Sequence, residues 1–334
     1  MAKKDKKFEE EQPIVGRLKD DVDPDDPAPE MVEPIKKLTA DLKKMALKMP
    51  LFEARQLVQT YYALQEERKR AGLRRSRAEE RGEPVHLVTH FEEQFWILER
   101  QVQKALDIYS ANHPLGEWLR SIPGIGPVLA SGLLTYFQVE DKDKDGNTRK
   151  RNVVGAWWAF AGISNDIVWE KGQKRPYSEK AKTLCYKIGE SFVKVKGKTT
   201  DVYGKLYTQR KAYEEKNNAE GKYAAEALKY AARMPKDSPT QAHYKAGKLP
   251  QHHLHARCRR WVVKLFLSHY FEVAYKMKYG VEPPKPYPIS VLGHKDYIPP
   301  PLFVPDEEAP EKSEKGKKNK KKPPDEAAGA VVKA

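Results

Sequence analysis

The chain has 334 residues, 39% of them apolar and 33% charged, with a net charge of +15. That length supports one large core or two modest ones, and the composition is less apolar and more charged than an average globular chain. No stretch approaches membrane-spanning length, and two cysteines cannot make a disulfide framework, so no membrane contact is expected.

Residues 1–30 carry six basic side chains against ten acids, and residues 306–334 carry eight lysines and seven acids. Neither segment has an apolar period, and both read as disordered, because they bury too little surface to offset their ordering entropy. These tails sum to −4 and +1, which leaves +18 on residues 31–305. The positive charge therefore belongs to the folded body and calls for a polyanion, of which phosphate backbones are the commonest. The start Met-Ala-Lys-Lys-Asp-Lys-Lys has no apolar run behind it and reads as no signal peptide, so a cytoplasmic, DNA-associated protein is expected.

In chain order the apolar spacing is helical almost throughout. Helices are expected at 34–48, at 51–81 and at 86–110. The last two form a helical hairpin, read equally as a short coiled coil through which copies could associate or as an ordinary antiparallel pair within one core. His113–Gly116 breaks the pattern. A short helix (Glu117–Arg120), an apolar helix (Val128–Phe137), a polar loop (140–151), a buried aromatic helix (Val153–Ile163) and a basic loop (164–177) follow. Helices then cover 178–194, with Ser178 as N-cap, 201–217, 220–234 and 250–279, with loop at 235–247 and a Pro-rich extended arm at 283–301. No run of strands is expected. The division is a tail (1–30), a helical hairpin (31–112), a central module (113–200), a C-terminal helical region with the arm (201–305) and a second tail (306–334). The fold class is all-α.

The most legible contact is Ser121–Pro127, within which Ile122-Pro123-Gly124-Ile125-Gly126-Pro127-Val128 carries the helix-hairpin-helix pattern of apolar–Gly–apolar–Gly–apolar. A glycine accepts the backbone angles of a tight turn, and absent side chains let a phosphate reach the backbone. Pro127 opens a helix whose first amides, backed by its dipole, point at that phosphate. Such a contact positions a protein on a backbone without reading bases. The DNA-binding residues expected are Pro123, Gly124, Ile125, Gly126 and Pro127, with Lys171, Lys174 and Arg175 from the basic loop. Trp169 and Tyr177 in that loop are candidates for base stacking, whereas Trp157 at helical spacing reads as core.

The stretch from Trp118 to Phe192 resembles the C-terminal transposase domain of the "one-ten" insertion-sequence family, the RNA-guided bridge recombinases. The resemblance rests on the Ile-Pro-Gly-Ile-Gly turn, on Ala161-Gly162-Ile163 ending the second apolar helix, on the loop Lys171-Gly172-Gln173-Lys174-Arg175, and on the basic helix Ser178–Lys194. The helical hairpin before it has a counterpart in the family's coiled coil. The resemblance implies DNA transposition and recombination for a mobile element, a DNA partner, structured RNA as a further partner, and magnesium if strand cleavage occurs. Two departures bear on cleavage. Residues 1–110 show nothing like the family's acidic nuclease-like domain, and Glu170-Lys171-Gly172 stands where the family's nucleophilic serine lies, flanked by Ser164 and Ser178. No catalytic residue is assigned. The alternative is a non-catalytic architectural or phage-encoded DNA- or RNA-binding protein, and a repair-type factor would use the same turn.

Two further patterns read as decoys. Asp141-x-Asp143-x-Asp145-Gly146 mimics the start of a calcium loop, but Asn152 stands where a bidentate glutamate is needed. His252, His253, His255 and Cys258 crowd one helix start without a second pair to complete a zinc site. No metal is assigned. Cys185 and Cys258 read as small buried hydrophobes.

Overall fold

Residues 36–301 are described by the computed structural model, apart from 143–144, 165–168, 236–237, 292 and 294–296. The tails expected to be disordered, 1–30 and 306–334, lie outside the described residues, as does Asp143. Within them the chain is all-α with one small β-hairpin.

The first helix, α1 (Ala40–Leu47), starts where the Thr39 hydroxyl accepts from the Leu42 N–H, later than the apolar spacing suggests. The long antiparallel pair consists of α2 (Leu51–Glu80) and α3 (His86–Ala111), with the turn between them at Gly82. The two ends of this pair differ. Its base is built into the core through Ala54, Val58, Ala105, Leu106 and Tyr109. Its tip is tied mainly by cross-helix ion pairs, Arg68–Glu99 at 2.7 Å and Arg75–Glu92 at 2.8 Å, and leaves Leu73, Leu87, Phe91 and Trp96 exposed.

Residues 113–116, expected to break the pattern, instead open α4 (Pro114–Ser121). Pro114 occupies the first helical position, where a missing N–H costs nothing, and His113 Nδ1 accepts from the Leu115 N–H at 3.2 Å. After α5 (Pro127–Tyr136), the segment expected as polar loop contains an antiparallel hairpin, β1 (Glu140–Lys142) with β2 (Thr148–Lys150). Three-residue strands are too short for alternation to register in a sequence. The opposed pair Glu140 and Lys150, together with Tyr279 Oη donating to the Glu140 carboxylate at 2.7 Å, holds them.

Then come α6 (Gly155–Phe160), α7 (Glu179–Val195), α8 (Tyr203–Ala219) and α9 (Ala224–Ala231). Residues 235–247, expected as loop, contain α10 (Pro239–Lys245), with Ser238 as its N-cap. The spine is α11 (Gln251–Tyr279), ended by left-handed Gly280 at φ 70°. The Pro-rich segment holds one helical turn, α12 (Tyr287–Ser290), and is otherwise extended where described.

Cys258, Val262, Phe266, Tyr270 and Ala274 of α11 lie in one core that also draws on α1 to α8. Trp118 stacks beside Phe266 and Tyr270, Phe192 and Tyr203 pack edge-on to Phe266, and Trp157 sits among Phe137, Tyr270 and Phe271. Trp157 is thus core, as its spacing indicates. Both cysteines are buried as expected, and desolvation pushes their thiols up, to about 12 for Cys185 and about 11 for Cys258. The arm is pinned to this core: His269 Nε2 donates to the Ile298 carbonyl at 2.8 Å and Trp118 Nε1 donates to the Pro301 carbonyl at 3.2 Å.

Candidate nucleic-acid interface

The site is built around the turn between α4 and α5. Ile122 and Ile125 are buried at 4% exposure each and Val128 at 7%, so the three apolar positions anchor the turn as their pattern demands. The Ile125 N–H closes it on the Ile122 carbonyl at 3.0 Å. The two glycines do different jobs. Gly124 takes φ 97°, and a Cβ there would meet Ser191 Oγ at 3.2 Å, Val195 at 3.3 Å and Phe192 at 3.4 Å. Its carbonyl accepts from the Ser191 hydroxyl at 2.6 Å, which fastens the turn to α7. Gly124 therefore serves the fold. Gly124→Val is expected to cost about 1–3 kcal/mol of stability through backbone strain, read as a lower denaturant midpoint.

Gly126 is the opposite case. It is exposed, its φ is −85°, and a Cβ would meet nothing within 4 Å. It is the N-cap of α5 and supplies no side chain to cap it. Pro127 has no N–H, and the first amide to bond back is that of Ala130, to the Gly126 carbonyl at 2.9 Å. The Val128 and Leu129 amides thus have no acceptor in their own helix, at its positive end.

A cleft of about 480 Å³ opens on this helix start, lined by Gly126–Leu129, by Tyr61, Tyr62 and Lys69 of α2, and by Tyr186, Lys187 and Lys194 of α7. Lys187 Nζ lies 4.0 Å from the centre of the Tyr62 ring. Partial burial pulls the Lys187 ammonium below its usual range, and the neighbouring charges of Lys69 and Lys194 pull the same way against Glu66. Three lysines crowded at a positive helix end are stabilised by an anion between them. Glu66 pairs with Lys69 at 3.1 Å, and Glu190 is held by Arg259, so the two acids nearby are already engaged.

The Lys171, Lys174 and Arg175 loop does not join this cleft. It precedes α7, whereas the turn touches the far end of that helix at Ser191; about 18 Å of helix separates Glu179 from Ser191. Arg175 pairs with Glu179 and lies 5.3 Å from the Trp169 ring, and Trp169 Nε1 donates to the Gln173 carbonyl at 2.8 Å. This loop is a separate basic and aromatic surface. The Ala161–Ile163 corner has a packing reason: a Cβ on Gly162 would come within 2.6 Å of the Tyr177 ring, and the Ser178 N–H closes on the Phe160 carbonyl at 2.8 Å. Ser178 is engaged as the cap of α7, its hydroxyl accepting from the Ala181 N–H at 3.3 Å.

Two histidines of the cluster, and His269 further along α11, are bonded to tyrosines. His253 Nδ1 bonds with Tyr244 Oη at 3.0 Å, His255 Nδ1 with Tyr207 Oη at 2.7 Å, and His269 Nδ1 with Tyr203 Oη at 2.8 Å. Among the described residues no group of three or more His, Cys, Asp and Glu side chains could share a metal ion.

Sequence reasoning missed Lys69, Lys187 and Lys194. They lie in charge-rich helices that read as solvated faces, and only the packing of α2 and α7 on either side of α5 brings them to one helix start. One signal was present: Lys180, Lys187 and Lys194 recur every seven residues, on one side of α7.

The fold and cleft together define an all-α protein with a basic, tyrosine-lined opening at the start of α5. No protein-family model matches the chain, and no curated protein or solved structure is significantly similar to it.

Proposed function

We propose that this chain binds nucleic acid by the phosphate backbone at the Gly126 end of α5, and that it serves DNA transposition or recombination of a mobile element. One observation carries the binding half: Lys69, Lys187, Lys194 and the acceptor-free Val128 and Leu129 amides surround a single cleft. A phosphate oxygen at the helix start satisfies the amides and offsets the repulsion among the lysines. The mobile-element half is supported by the resemblance described above, namely the order of the glycine turn, the Ala161–Ile163 corner and the Lys171–Arg175 loop. It assigns no residue to strand cleavage.

Fluorescence anisotropy with labelled DNA tests the binding. With three or four phosphate contacts, affinity is expected to fall on the order of 10²-fold between 50 and 200 mM salt, similarly for unrelated sequences. Absence of binding at the lower salt, or an affinity indifferent to salt, defeats the proposal. Strand transfer on supercoiled DNA with magnesium separates a transposase from a purely architectural binder.

A further inference from the structure

Many arginines of the body are matched by acids packed beside them, as Arg151 is by Asp141, Arg257 by Glu226 and Arg259 by Glu190. The cleft at Gly126 is different. Among the described residues no carboxylate pairs with Lys187 or Lys194, and the Val128 and Leu129 amides have no acceptor in their own helix. A site of this kind favours a negative group whether or not nucleic acid is present. The chain carries such groups itself. Residues 20–33 hold seven acids, five of them between Asp20 and Asp26, and no basic side chain. The charge changes sign at Lys36 and Lys37, where the described residues begin.

We infer that this acidic run, residues 20–33, occupies the cleft at Gly126 in the free protein and must leave before a phosphate backbone enters. The inference rests on the backbone-binding function proposed above and adds its regulation. Chemistry is the first argument. A carboxylate accepts from the first amides of a helix and pairs with lysine much as a phosphate oxygen does, so a ligand-free cleft built for one receives the other. A block of like charge on a body of opposite sign is also the pattern of an interaction tail.

Reach is the second argument. Tyr61, three turns into α2, already lines the cleft. Lys36 is joined to it through α1 and the start of α2, so the two lie at most about 50 Å apart even if every connection ran straight. They do not run straight, because α1 packs on α3, as α2 does. The 16 residues from Lys36 back to Asp20 extend to about 55 Å. A run tethered at this range acts at an effective concentration on the order of millimolar, so weak contacts to three lysines hold it, and a longer polyanion displaces it.

The test uses the full chain and a fluorescein-labelled duplex of roughly 20 base pairs at about 50 mM salt. Asp20, Asp21, Asp23, Asp25 and Asp26 are changed together to asparagine. This variant is expected to bind DNA about three- to tenfold more tightly than wild type. The same change is then made with Lys69→Gln and Lys194→Gln, both at exposed positions, where the gain is expected to fall below about twofold because the run has lost its seat. Carbodiimide crosslinking of the wild-type monomer, read by mass spectrometry, is expected to join acids of 20–33 to Lys69, Lys187 or Lys194, and to stop doing so when DNA is added. Unchanged affinity in the asparagine variant overturns the inference. So does a gain that persists in the lysine variants, which is general repulsion of DNA by the acids, and so do crosslinks confined to other lysines. Each of these leaves the grip at Gly126 standing. Absence of DNA binding by every variant defeats the backbone-binding function instead, and the crosslinks still decide where the run sits.

Discussion

Gly126→Asp is expected to weaken nucleic-acid binding by about 10- to 10²-fold while leaving the protein at least as stable as before. An aspartate at an N-cap accepts the amides two and three residues on, and its charge is favourable at the positive end of the helix, a gain of roughly 0.3–1 kcal/mol. Those amides, of Val128 and Leu129, are the ones proposed to hold the phosphate, and the new carboxylate would both occupy them and repel the ligand. Losing charge-assisted hydrogen bonds of about 1.5–3 kcal/mol gives the stated range, since each 1.4 kcal/mol is tenfold. The position tolerates the side chain: φ is −85° and a Cβ meets no atom within 4 Å. Anisotropy titration and chemical denaturation of the same preparation check the two halves. Gly126→Ser, which caps without a charge, is expected to fall between wild type and Gly126→Asp. Normal affinity in Gly126→Asp would show that no phosphate sits on these amides.

Glu214→Ala is expected to destabilise the fold by about 3–5 kcal/mol, a large part of the total stability of a typical protein. Glu214 of α8 is fully buried between two arginines. Arg210, one turn earlier, reaches it at 2.5 Å, and Arg257 of α11 at 3.1 Å. The Tyr223 hydroxyl donates to the same carboxylate, and Arg257 reaches on to Glu226 of α9 at 2.9 Å. One carboxylate thus ties α8 and α11 to α9. Removing it leaves the part-buried Arg210 guanidinium without its acid and facing Arg257, which keeps its pair with Glu226. The cost reflects that orphaned charge and the lost tie to Tyr223 rather than the net worth of the cluster against an apolar substitute, so Glu214→Gln, which keeps an acceptor oxygen, is expected to cost less. Denaturant midpoints check this, and a change under 1 kcal/mol for Glu214→Ala would sink it. Because Arg210, Glu214, Glu226 and Arg257 do not line the cleft at Gly126, nucleic-acid affinity per folded molecule is expected to be unchanged.

The legibility of the site varied with the range of the interactions that make it. The glycine turn is local: Ile122, Ile125 and Val128 bury, and Pro127 opens α5, each as apolar–Gly–apolar–Gly–apolar implies. Helix starts carried by one side chain, such as Ser178, were equally readable. Where local signals compete, reading failed. Pro114 reads as an end because it interrupts the apolar spacing of the helix before it, although proline is equally at home at a helix start, and Ser238-Pro239 carries a start signal that the surrounding polar residues conceal. The strands at 140–150 depend on Tyr279, about 140 positions away, and no window includes both.

By itself the sequence determined that this protein is helical, that its folded body is strongly basic, and that a tight turn with bare backbone stands at Gly124–Gly126. These follow from side-chain period, charge and glycine stereochemistry, which act within a few residues. The tertiary structure decided which glycine is free to meet a ligand, because only packing shows Gly124 against Ser191 and Phe192 and Gly126 against nothing. It also decided which cations stand at that glycine. Lys171, Lys174 and Arg175 are nearer in sequence than Lys69, yet α7 carries them away to its other end. Lys69, Lys187 and Lys194 converge because α2 and α7 both pack on α5, a consequence of burying apolar faces at long range that charge patterning along the chain does not encode.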